Sequence, residues 1–126
     1  MPGISDYLEA AWLNMLRGTA LTAPAAVYVK LHTADPSDDG TANAAANTTR
    51  QAVTFAAASS PGGTMASNAA VTWTSVPNAE TYAWISLWDA STAGNCLWTG
   101  ALSASKTVGV GDTFTIPSGS LTLTLA

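Results

Sequence analysis

Charged residues are scarce in this sequence. Asp, Glu, Lys and Arg together make up 10% of the 126 residues, against about a quarter in ordinary soluble domains. Apolar residues make up 48%, so much of the surface must consist of Ala, Ser, Thr and Gly. Because a surface with so little charge tends to be covered by another molecule, we expect the chain to be a subunit of an assembly.

Basic residues are the rarer charged type, and the net charge is −4. The four that occur lie far apart in the sequence, at Arg17, Lys30, Arg50 and Lys106. Neutralising phosphate groups requires clustered Lys and Arg. Nucleic acid and anionic membranes are therefore not expected as partners.

Long apolar runs are also absent. The sequence has no run of 18 apolar residues, and its N-terminal apolar segment is interrupted by Asp6, Glu9 and Arg17. It therefore predicts neither a membrane span nor a signal peptide. We expect the chain to be made in the cytoplasm and not exported by the secretory route.

Cysteine and histidine occur once each, which limits the chemistry that the chain can carry. Cys96 can form no intramolecular disulfide and no cysteine-based metal cluster, and without a cationic neighbour in sequence we expect a buried, inert thiol. His32 has no acid near it in sequence and is expected to be a hydrogen-bonded or rim residue. We predict no catalytic residue, no cofactor and no enzymatic activity.

An acidic segment at residues 35–40, DPSDDG, resembles a calcium-binding loop only in part. The helix-loop-helix calcium motif has ligands at positions 1, 3 and 5 and a Glu at position 12, whereas here the acids fall at positions 1, 4 and 5 and the twelfth residue is Ala46. Asp, Pro and Gly in this order are typical of a tight turn. We therefore predict no metal site.

The chain is predicted to form a single domain over residues 1–126, beginning with a helix at 4–18. Ser5 is a good N-cap, and Gly18 follows the last turn. Between them an apolar stripe recurs at helical spacing, formed by Leu8, Ala11, Trp12 and Met15. This stripe needs a surface to cover it, either the sheet of this chain or a neighbouring subunit.

A β-domain is predicted over residues 26–126, because the apolar period changes to two at Val27. The first strand runs to His32, with Val27, Val29 and Leu31 on one face, and a long loop follows at 34–49. Further strands are predicted at 50–55, 71–74, 83–88, 96–102, 113–116 and 121–125. Turns recurring every 8–12 residues indicate a β-sandwich or small barrel of antiparallel strands.

The predicted hairpin at 83–102 is apolar on both faces. Alternation places Trp84 and Trp88 on one face of its first strand, and Cys96 and Trp98 on one face of its second. A hairpin of this kind must be covered on both faces. Large aromatic residues are common in the cores of interfaces. The alternative is a carbohydrate platform, in which the tryptophans stack on sugar rings and Asp89 and Asn95 supply hydrogen bonds.

Five segments in this order resemble a family of short virion proteins of tailed bacteriophages, usually labelled putative tail fibre proteins. They are SDYLEAAWLNMLRG, APAAVYVKLHTADPSDDG, RQAVTF, ISLWDASTAGNCLWTGAL and SKTVGVGDTFTIPSGSLTLTL. The resemblance covers nearly the whole chain. One departure is TANAAANTT before Arg50, where family members tend to have a Glu-Val-Ser-Gly-Gly-like stretch that ends in an aromatic residue.

The resemblance implies a structural virion component with no catalytic residues. A fibre is long and repetitive, whereas this sequence has no internal repeat, so a capsid decoration or minor capsid protein suits it as well as a tail-fibre-type subunit. Its acidic charge favours the outer surface of the capsid or tail, away from packaged DNA, in a virion built in the host bacterium.

We expect a homo-oligomer that docks on other virion proteins, such as the major capsid or tail proteins. The residues predicted to make these contacts are Leu8, Trp12, Met15, Trp84, Trp88 and Trp98. A module that binds a host-surface glycan or receptor is the alternative function.

Overall fold

The computed structural model describes residues 3–125. Within this range the chain forms one α-helix and nine β-strands. In chain order these are β1 (Gly3–Ile4), α1 (Asp6–Leu16), β2 (Val27–His32), β3 (Gln51–Val53), β4 (Thr64–Ala66), β5 (Val71–Trp73), β6 (Glu80–Trp88), β7 (Cys96–Val108), β8 (Phe114–Ile116) and β9 (Thr122–Thr124).

All of the strand pairs are antiparallel. Five strands form one sheet in the order β1-β7-β6-β2-β3, while β4 pairs with β9 and β5 pairs with β8. The described strands do not close into a barrel. The predicted fold class, mainly β with one N-terminal helix, is confirmed.

The hydrophobic core is formed by residues of the five-stranded sheet and of the two small sheets. Val29 and Leu31 of β2 are fully buried there, as the alternation in β2 predicts. Trp73 and Tyr82 both pack on Phe114, with ring centroids 5.7 and 5.1 Å apart. Aromatic pairs at this distance add to the stability that apolar burial supplies.

The helix α1 begins where Ser5 predicts, because the Ser5 side chain accepts a hydrogen bond from the Leu8 N–H. It ends in a Schellman motif: the Gly18 N–H bonds the Met15 carbonyl, and the Thr19 N–H bonds the Asn14 carbonyl. Gly18 has φ +96°, a conformation that suits glycine. The helix is shorter than the predicted span of 4–18, since residues 3–4 form β1 instead.

Two strand predictions need correction. Thr64–Ala66 lies outside every predicted strand, in a segment whose Ser, Pro and Gly residues are typical of a loop, but it pairs with β9. The strand β7 runs to Val108, well beyond the predicted residue 102. Its residues Leu102–Ser105 lie opposite Ala83 alone, so an irregular bulge of four residues against one interrupts the apolar alternation there.

A second irregularity corrects the predicted faces of the hairpin β6–β7. Trp88 pairs with Cys96 and Leu87 pairs with Trp98, so Leu97 is an extra residue between the two pairs. Paired residues of antiparallel strands share a face. Cys96 therefore lies beside Trp88, whereas Trp98 lies on the core face beside Leu87 and packs on the core.

Candidate assembly surface

The helix α1 is held against the sheet at its N-terminal end. The Ser5 N–H donates to the Leu97 carbonyl at 3.0 Å, and the Ser5 hydroxyl donates to the Cys96 carbonyl at 2.5 Å. Ser5 itself is 1% exposed. Both bonds reach β7, so this strand fixes the point from which α1 leaves the sheet.

Beyond this anchor α1 has no buried residue. Among the predicted contact residues, Leu8 is partly covered, Trp12 is 37% exposed and Met15 is 49% exposed. The helix also exposes Tyr7, Leu13 and Leu16. Five of the seven large apolar side chains exposed in residues 3–125 therefore belong to this one helix, which is a concentration typical of a contact surface.

An apolar groove of about 460 Å³ lies between α1, residues 21–27 and the sheet. Trp12 and Leu8 line it from the helix, while Trp98, Leu97 and Leu123 line it from the strands. Trp98 also lines a second groove, of about 520 Å³, between β7 and residues 114–123, which include β8 and most of β9. Three of the predicted contact residues, Leu8, Trp12 and Trp98, therefore line the same groove.

The other two hairpin tryptophans lie on the opposite face of the sheet. Trp84 is half-buried, and Trp88 is 7% exposed. The Arg50 guanidinium lies 4.3 Å from the Trp88 ring centroid and the Lys30 ammonium lies 5.4 Å from it. Arg50 is held in place by its own bonds to the carbonyls of Ala90 and Ala93. Residues of this chain therefore cover Trp88.

Trp88 and Trp98 do not form a carbohydrate platform together. Trp88 and Trp98 lie on opposite faces, so their rings cannot stack on one sugar. The two oxygens of Asp89 accept hydrogen bonds from the backbone N–H and the side-chain amide of Asn95, at 2.8 and 3.1 Å. These bonds shape the turn between β6 and β7.

His32 is fully buried in a hydrogen-bonded chain. Its Nδ1 donates to the Ala42 carbonyl at 2.9 Å, and its Nε2 accepts from the Ser86 hydroxyl at 2.7 Å. The Trp88 indole N–H donates to the same Ser86 oxygen at 2.7 Å. Burial lowers the pKa of His32, and the nearby charge of Lys30 lowers it further. The geometry fits a neutral imidazole that ties the loop 34–49 to β6.

Cys96 is 5% exposed, in agreement with the predicted buried thiol. Burial raises the pKa of the Cys96 thiol to about 11. Its Sγ donates only a weak, 3.6 Å bond to the Trp98 carbonyl. At neutral pH the sulfur is therefore protonated and lies beneath the backbone of Gly40.

The acidic segment DPSDDG forms turns, as its composition predicts. One oxygen of Asp39 accepts bonds from the Ser37 hydroxyl, the Thr41 hydroxyl and the Thr41 N–H. These bonds, the one from Ser37 first, lower the pKa of the Asp39 carboxyl. In the described residues, His, Cys, Asp and Glu form no group of three or more that could hold a metal ion. No helix within residues 3–125 is long and apolar enough to span a bilayer.

The exposed helix, the covered hairpin and all of the groove except Leu125 lie within the range matched by one protein-family model. That model, Gp80, is described as podophage GP4 fiber I protein gp80 and matches residues 3–124. The chain belongs to this family. It is a podophage fibre-type protein, and thus a structural component of the virion. A comparison with curated proteins finds no match.

Membership in the Gp80 family confirms the resemblance to phage tail fibre proteins. It does not single out residues, so the contact roles of Leu8, Trp12, Met15, Trp84, Trp88 and Trp98 stay predictions. Sequence reasoning missed Leu13, which is 67% exposed on α1. The signal was present, because Leu13 and Leu16 are three residues apart and thus neighbours on a helix surface, but they lie outside the stripe of Leu8 and Trp12.

Proposed function

We propose that this Gp80-family protein is a non-enzymatic accessory subunit on the outer surface of the virion, which self-associates and docks on the particle. The observation that carries the proposal is the exposed apolar surface of α1 beside the groove lined by Trp12 and Trp98. Burying this apolar surface against a partner would stabilise the complex by about 25 cal/mol per Å² of apolar area removed from water. The family description favours a tail-fibre-type subunit over a capsid decoration or minor capsid protein.

Docking is tested with phage that carries Trp12→Glu, compared with phage that carries Val110→Glu. Val110 is a matched control, since it is 72% exposed but lies in the turn between β7 and β8 and does not line the groove. Quantitative mass spectrometry of purified virions gives the copies per particle. We expect Trp12→Glu to lower the copy number more than tenfold, because the charge would have to be desolvated on docking, and Val110→Glu to leave it unchanged.

Equal incorporation of the two variants, with Trp12→Glu folded by circular dichroism, would refute docking through this surface. The wild-type copy number also locates the protein, since hundreds of copies per particle indicate the capsid surface and a handful indicates the tail. The alternative, a glycan-binding or receptor-binding module, is tested separately. Quenching of tryptophan fluorescence by host-wall polysaccharide, lost in Trp84→Ala, would support that alternative.

A further inference from the structure

The outer face of α1 carries a symmetric arrangement of side chains. Leu13 lies at its centre, with Ala10 three residues before it and Leu16 three residues after. Glu9 and Arg17 lie four residues before and after Leu13. Residues three and four apart are neighbours on a helix surface, so all five share one side of α1. That side faces away from the sheet, since all five are exposed whereas Leu8 and Ala11 are partly covered.

This spacing makes the face complementary to itself. If two copies of α1 pack antiparallel with Leu13 on the two-fold axis, each Leu16 lies opposite the small side chain of Ala10 of the partner subunit. Each Arg17 then lies opposite Glu9 of the partner subunit. Antiparallel helices pack in this way at interaxial distances of about 8–10 Å, and a two-fold interface repeats every contact.

We propose that this outer face of α1 binds the same face of a second copy of the chain, as an antiparallel helix pair centred on Leu13. The proposal rests on the self-association proposed above and names the surface that mediates it. It is separate from the groove beneath α1, which remains free to dock on the particle.

Charge complementarity supports a second copy as the occupant. Acidic residues lie only at the N-terminal end of α1, and Arg17 caps its C-terminal end, so an antiparallel copy brings unlike charges together at both ends of the apolar centre. A parallel copy would instead place Glu9 beside Glu9. An anionic membrane fits less well, because it would attract basic residues, whereas α1 carries two acids in its first turn.

The apolar centre is tested by the mass of the purified protein in solution, measured by light scattering after size-exclusion chromatography over a dilution series. We expect Leu13→Glu to weaken dimerisation on the order of 100-fold, because the two-fold axis makes the substitution count twice. Val110→Glu is the matched control and should dimerise like the wild type. The proposal would be overturned if the wild type were monomeric at every concentration of a roughly 100-fold dilution series that starts at about 1 mM. A Leu13→Glu variant that dimerises like the wild type would also overturn it.

The register is tested by charge exchange. At low ionic strength Glu9→Arg and Arg17→Glu should each weaken the dimer about tenfold, since each creates two like-charge contacts. The double variant Glu9→Arg/Arg17→Glu should recover most of the loss. Far-UV circular dichroism checks that α1 persists, because both single changes oppose the helix dipole. No recovery in the double variant, with α1 intact, would contradict an antiparallel pair in this register.

Cross-linking supplies a second measure of the register. A short bis-maleimide should link Ala10→Cys chains to Leu16→Cys chains when the two are mixed, and should link neither well when alone. The wild type is the control, because its Cys96 is buried. Failure of these tests while Trp12→Glu still lowers virion incorporation would overturn the helix pair and leave docking in place. The reverse result would overturn docking alone.

Discussion

Replacing Gly40 with Ala is expected to destabilise the protein strongly, for two separable reasons. Gly40 has φ +72°, where an L-residue costs about 1–2 kcal/mol. The added Cβ would lie 2.6 Å from the Cys96 Sγ and 3.1 Å from Cζ2 of Trp88. Overpacking of this kind costs about 1–3 kcal/mol. Together the two effects lower the free energy of unfolding by about 2–5 kcal/mol.

The two effects can be distinguished by urea denaturation followed through tryptophan fluorescence. Gly119→Ala is the control for backbone strain, since Gly119 has φ +81° and nothing within 4 Å of an added Cβ. It should lose only about 1–2 kcal/mol. The steric part should shrink in Gly40→Ala/Cys96→Ala, because removing Sγ removes the closest contact. We expect the two substitutions to couple favourably by about 1–2 kcal/mol.

Equal losses for Gly40→Ala and Gly119→Ala would refute this reasoning, as would simple additivity of Gly40→Ala and Cys96→Ala. Either result would mean that the loop 34–49 does not press on the hairpin in solution. The cover over Trp88 would then be much looser than the distances indicate.

Two further predictions concern the buried groups beneath this loop. The unfolded chain binds a proton at His32 near pH 6.5, but the folded chain binds it only at lower pH, because burial lowers the pKa of His32. The stability that the neutral imidazole contributes is therefore fully present above pH 6.5. Below pH 6.5 the free energy of unfolding should fall, by up to about 1.4 kcal/mol per pH unit. Urea midpoints at pH 7.5 and 5.5 measure this, and a His32→Gln variant with the same pH dependence would contradict it. Burial also raises the pKa of the Cys96 thiol to about 11. Ellman's reagent at pH 8 should therefore label no thiol in the native protein and one thiol in urea. Rapid labelling of the native protein would show that the loop 34–49 opens.

Regular apolar periods predicted their elements well. The alternation from Val27 to His32 gave β2 with its observed bounds, and Ser5 with Gly18 marked the ends of α1 to within two residues. These signals are local, because a strand or helix that rests on one core must repeat its apolar residues at its own period.

Irregular features were missed because they depend on contacts between distant segments. The extra residue at Leu97 turns Trp98 toward the core, and nothing in the order of residues marks it. Similarly, Thr64–Ala66 becomes a strand only because β9 lies beside it. His32 looked isolated in sequence, since its partner Ser86 is 54 residues away. The sequence predicted that the tryptophans and the helix stripe would be covered, but it did not predict a groove between them.

The attachment of α1 near one edge of the five-stranded sheet determines how the subunit would carry mechanical load. β1 pairs with β7 at Trp98 and Thr99, and Ser5 adds its bonds to the neighbouring residues. Tension on α1 would therefore enter the longest strand and spread into β6 through their shared ladder. The small pairs β4–β9 and β5–β8 lie outside that path. A subunit suspended from a virion by α1 would load the short β1–β7 pairing first and the long β6–β7 ladder behind it, and would leave β4–β9 and β5–β8 unloaded.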